Sequence, residues 1–255
     1  MKNANELQVL LMTRKNRSYS YFYKIGMLGA MGFPSDRCHT VMDKWGISIV
    51  KMVEDAIEDG FPWFERFVED GRAPGIPHYM AYVGGLWSFC RCLRYISQRD
   101  YPCLVVEDDR RLLVDWDEIL KRLKTLPQDA DTVLLTDRGG EPYDDYWTRT
   151  YSKGGIATMA IYSPLGAKKA LAIASNEGSP EEWKRMMAAK FCDKTTYCSS
   201  EMLYHPPFQD PSISPQYLST IVTHTHYDRW MEGVDVDERE HVSDDRVLCE
   251  VDLDG

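Results

Sequence analysis

Three consecutive carboxylates, Glu107, Asp108 and Asp109, close a short apolar run from Cys103 to Val106. A run of that length reads as a buried strand. Carboxylates crowded at its end repel one another, and a hard divalent cation relieves that repulsion. Strand ends of this kind line the ligand crevice in open α/β sheets. A second group stands after another apolar run, Val9 to Met12, which ends at Thr13. Arg14, Lys15 and Arg17 follow it directly. Guanidinium forks suit diphosphate oxygens, and the start of a following helix would offer free N–H groups to the same anion. Each group has a plainer explanation. The acids, with Asp115 and Asp117, could simply begin a helix at the favourable end of its dipole, and the bases could lie on a solvated loop. Together they describe a different chemistry: a cation and basic side chains neutralising a diphosphate leaving group.

These residues need a scaffold that delivers two strand ends to one place. The pattern predicts a strand over 9–12, a helix to about Met31, and a break at Gly32-Phe33-Pro34-Ser35. It then gives a strand over 38–42 and a helix over 47–57 stopping at Asp59-Gly60. The stretch 61–77 holds Pro62, Gly71, Pro74, Gly75 and Pro77 and reads as an irregular loop with aromatic anchors. A helix from about His78 to Ser97 leads into the strand before the acids. Beyond them come a helix over 115–126, a strand over 132–136, a turn from Asp137 and a strand over 156–162. Helices follow over 165–175, where Pro164 opens the first turn, and over 179–190. The proline-rich stretch 205–215 reads as a loop, and 218–222 as a last strand. Alternating strands and helices predict an α/β fold with a mostly parallel central sheet flanked by helices. The second half is more mixed. The organisation expected is one domain over 1–230, with halves at about 1–110 and 111–230, and an acidic tail over 231–255.

Bulk properties narrow the classes. A chain of 255 residues can bury a sizeable core. No apolar segment approaches the roughly 20 residues of a membrane-spanning helix, and the first eight residues lack a signal-peptide apolar block. The seven cysteines show no metal-type CxxC pairs, so reduced core thiols and a cytoplasmic location are the expectation. A net charge of −10 opposes non-specific attraction to nucleic acid or anionic membrane. The basic island at Arg14 keeps a bound anion open.

Two further sets have the right residue types. His224 and His226 alternate at the end of the 218–222 run and share one face if that strand stays regular. Glu181 and Glu182 follow Ser179-Pro180, which is also an ordinary helix start. Trp183, Tyr217, Tyr227 and Trp230 could stack on a sugar ring, although most aromatics in such a chain are core.

Val-Leu-Leu-Met-Thr-Arg-Lys-Asn-Arg-Ser, His78-Tyr79 opening a long helix, and Leu-Val-Val-Glu-Asp-Asp together resemble GT-A glycosyltransferases. The nearest likenesses are N-acetylglucosaminyltransferase I and the bacterial lipopolysaccharide-type enzymes. Gly154-Gly155-Ile-Ala-Thr-Met-Ala-Ile-Tyr and Ser-Pro-Glu-Glu-Trp extend the likeness, which spans about residues 8–225. The resemblance implies a GT-A-like, Rossmann-like sheet with a mixed acceptor-side lobe. It also implies a nucleotide-sugar donor, UDP-sugar first, and a divalent metal, Mn2+ or Mg2+. Thr13, Arg14 and Arg17 would meet nucleotide or diphosphate, and His78 the base. Asp108 would meet ribose or sugar hydroxyls, and Glu107 would orient the site. Asp109 would bind the metal, with His224 or His226 as a late ligand. Glu182, or Glu181, would act as base in an inverting transfer, although those enzymes carry Asp at that point. The expected acceptor is a glycan or other saccharide hydroxyl, with a hydroxymethylated DNA base as the alternative. A nucleotidyltransferase would need a glycine-rich phosphate loop, and residues 13–20 contain no glycine. A non-catalytic sugar-nucleotide-binding module would take up no divalent metal.

Overall fold

A computed structural model describes residues 1–13, 28–42, 49–69, 77–107, 111–137, 139–150, 159–176 and 195–205. The core is an eight-stranded sheet in the order β2-β1-β3-β8-β5-β9-β7-β6. Its strands are β1 (Gln8–Thr13), β2 (Cys38–Met42), β3 (Cys103–Glu107), β5 (Thr132–Leu134), β6 (Glu141–Pro142), β7 (Trp147–Arg149), β8 (Ala160–Tyr162) and β9 (Thr196–Ser199). A separate two-stranded ladder joins β4 (Arg111–Leu112) to β10 (Tyr204–His205).

The sheet is mixed, which corrects the expectation of a mostly parallel one. β1 pairs in parallel with β2 and β3, and β5 with β9. β8 is antiparallel to both β3 and β5, and β7 to both β9 and β6. The cause is local. β8 enters from the opposite direction between two like-directed strands, and β7 returns beside β9 in a short antiparallel pairing. Neither insertion changes the common direction of β1, β2, β3, β5 and β9, so the carboxyl ends of these strands share one edge.

Both faces of the sheet are covered, and the side-chain alternation of its strands divides the core accordingly. Leu10, Met12, Cys103 and Val105 join one cluster with Val53, Phe64, Val83, Phe89, Leu93 and Ala170. These come from helices Ile49–Glu58, Pro77–Ser97 and Pro164–Asn176, and from the 61–69 segment. Val9, Leu11, Leu104 and Val106 join the other, with Leu28, Phe33, Trp116, Ile119 and Leu123. Because β1 and β3 are apolar on both sides, they read in sequence as continuous runs.

The 61–77 stretch departs from the loop expected of it. Pro62–Glu65 is a 3₁₀ helix and Arg66–Glu69 a short α-helix, with Phe61, Phe64 and Phe67 fully buried. Phe64 and Phe67 meet edge to face at 5.1 Å, an arrangement that aromatic quadrupoles favour. Apolar burial outweighs the local proline and glycine signals there. Helix Trp116–Leu123 is shorter than the 115–126 expected. Asp115 is its cap, its carboxylate accepting the Glu118 N–H at 2.8 Å, so the plainer reading of Asp115 and Asp117 holds. The strand expected over 132–136 ends at Leu134, with a bend over 135–136, and of the strand expected over 156–162 the described part is Ala160–Tyr162, residues 156–158 lying outside the described residues. Strands β7 and β9 were not expected at all. The predicted elements at 179–190 and 218–222, and the acidic tail, lie outside the described residues.

Two polar clusters fix the helices. Asp59 accepts from Trp87 Nε1 at 2.8 Å and pairs with Arg94 Nη2 at 3.0 Å and Arg91 Nε at 3.3 Å. The Arg94 Nη1–H also donates to the Asp59 carbonyl. Asp131, buried, pairs with Lys169 Nζ at 2.6 Å and accepts from Ser163 Oγ at 3.1 Å. Ser163 Oγ in turn accepts the Gly166 N–H at 3.0 Å. The described cysteines, Cys38, Cys90, Cys92, Cys103 and Cys198, are reduced and buried, and burial pushes the Cys38 and Cys90 thiols up to about 12. At the far side of the sheet, β6 ends it with a charged residue and a proline.

Candidate functional site

The chain order of the first three strands decides where a ligand would sit. From β1 the chain passes to β2 on one side, then returns across β1 to β3 on the other. Leu28, on the way to β2, packs on one face of the sheet, whereas helices Ile49–Glu58 and Pro77–Ser97, on the way to β3, pack on the other. Connections leaving in opposite directions on opposite faces open a crevice at the carboxyl ends of β1 and β3, the switch point at which open α/β sheets bind ligands.

The strands that precede the two charged groups in sequence both end at that switch point. Met12 is the register partner of Glu107, so Thr13, the last residue of β1, and Glu107, the last of β3, end side by side on strands about 4.8 Å apart. Glu107 is half-buried. Asp108, Asp109, Arg14 and Arg17 lie outside the described residues, as do Glu181, Glu182, His224 and His226. His78 is the second residue of helix Pro77–Ser97, behind a proline at the first position. A crossover helix that feeds β3 runs against it, so His78 stands at the carboxyl edge.

Elements the sequence did not announce flank the ends of β3 and β5. Met159 precedes β8 with a left-handed φ of 57° and is buried. Its N–H donates to the Val105 carbonyl at 2.8 Å, and its carbonyl accepts from Leu135 N–H at 3.1 Å. It thereby links Val105 of β3 to Leu135, the residue that follows β5. Beyond β5, Thr136 is buried and Asp137 exposed, with Asp137 Oδ1 accepting the Gly139 N–H at 2.9 Å. The β4–β10 ladder is tied to the segment after β5. Leu203 N–H donates to Leu135 O at 3.0 Å, and Leu113 N–H to Leu203 O at 2.9 Å. In that ladder His205 is the register partner of Arg111, which brings its backbone within two residues of Asp109. The sequence reading left His205 at the head of a proline-rich loop. Only the pairing of Tyr204–His205 with Arg111–Leu112 reveals its position.

Glu201, on the turn after β9, is held in an ion pair. Its carboxylate pairs with Arg122 Nη1 at 2.7 Å, while Arg122 Nε reaches Glu118 at 2.8 Å. The Arg122 carbonyl accepts from Trp147 Nε1 at 2.8 Å. Those contacts tie the turn after β9 to helix Trp116–Leu123.

Glu107, Asp108 and Asp109 are an oxygen-only donor set at one strand end, which fits a hard divalent cation rather than a thiolate-loving one. Among the described residues, no three His, Cys, Asp or Glu side chains gather in a metal-binding group. No helix among the described residues is long and apolar enough to cross a membrane. No protein-family model matches the chain, and no curated protein matches it.

Proposed function

We propose that the chain is a metal-dependent glycosyltransferase of GT-A-like fold that moves a sugar from a nucleotide-sugar to an acceptor hydroxyl. The observation that supports this most is the pairing of Met12 with Glu107. It sets the ends of β1 and β3, the strands that the basic island and the acidic cluster follow in sequence, side by side at the switch point of the sheet, where a diphosphate and its cation would be neutralised together.

In this reading Glu107, Asp108 and Asp109 hold Mn2+ or Mg2+, which supplies electrostatic stabilisation of the departing diphosphate. Arg14 and Arg17 meet the phosphate oxygens, Thr13 and His78 border the nucleotide, and UDP is the first-choice nucleotide. A carboxylate takes the proton of the acceptor hydroxyl during attack on the anomeric carbon. Glu182 and Glu181 are the choices the GT-A resemblance implies, and His224 or His226 the late metal ligand. The acceptor is a saccharide hydroxyl and the compartment the cytoplasm.

A thermal-shift screen of UDP-, GDP- and CMP-sugars, each with and without Mn2+, tests the reading. A ligand stabilises in proportion to its occupancy. One nucleotide class should therefore raise the melting temperature, and only in the presence of metal. No shift with any donor overturns the proposal.

A further inference from the structure

We draw no further inference here: the strongest candidate, the side-chain cluster of Asp131, Ser163, Lys169 and Thr195 where helix Pro164–Asn176 begins, is a cap for that helix, its ion pair and hydrogen bonds made within the cluster and to the Gly166 N–H, and nothing among the described residues points to a ligand there.

Discussion

At the residue scale, the sites that cost most to change are those whose partners cannot reorganise. Asp59 gathers Trp87, Arg91 and Arg94 on one carboxylate beside a buried aromatic wall. Its replacement by alanine strands buried donors and should cost about 3 kcal/mol, measured as a lowered urea midpoint. Gly140 has a φ of 143°, and a Cβ there would overlap the Arg149 carbonyl oxygen. Gly140→Ala should therefore lower the melting temperature by several degrees without touching the carboxyl edge. Asp109→Ala belongs to the other category. It should abolish metal-dependent turnover and leave the melting temperature of the unliganded protein unchanged; persistence of wild-type turnover would place the cation elsewhere.

At the scale of elements, what the sequence displayed depended on how a segment is buried. β1 and β3 are covered on both faces, so Val9-Leu10-Leu11-Met12 and Cys103-Leu104-Val105-Val106 are unbroken apolar runs and were legible. β9 is equally buried, but three of its residues, Thr196, Tyr197 and Ser199, carry hydroxyls, and no run marks it. The 61–69 segment misled in the other direction, because its proline suggested a loop while its phenylalanines built core. Phe64→Ala should accordingly cost about 3–5 kcal/mol, a core value rather than the small change expected of a loop aromatic, and chemical denaturation can check it. The candidate site was half legible. Residue types flagged Arg14 and the Glu107–Asp109 cluster, but that the strands before them, β1 and β3, end side by side depends on strand order. The position of His205 depends on its register with Arg111, which no local pattern encodes.

At the scale of the whole molecule, stability should fall on mild acidification through His39. Its ring is half-buried on β2, with Nε2 3.0 Å from Gln8 Oε1. Burial holds its pKa below the usual value, and Arg99 adds to this while Asp36 opposes it. The unfolded chain therefore binds the proton more readily, and the imidazole's contribution is intact above about pH 6.5 and lost progressively as pH drops below it. The urea midpoint should decline from about pH 7.5 to 5.5, and His39→Gln should flatten part of that decline; an unchanged slope in the variant would clear His39 of the effect.

The terminal strand of the sheet has a consequence for life in a crowded solution. β6 is two residues long, Glu141 and Pro142, both exposed. Proline has no amide hydrogen to offer an arriving backbone, and the glutamate resists a dry contact. A neighbouring molecule finds no template there on which to extend the ladder, so the border keeps copies of the protein from zipping together. Pro142→Val would supply the missing donor and invite intermolecular growth at that margin.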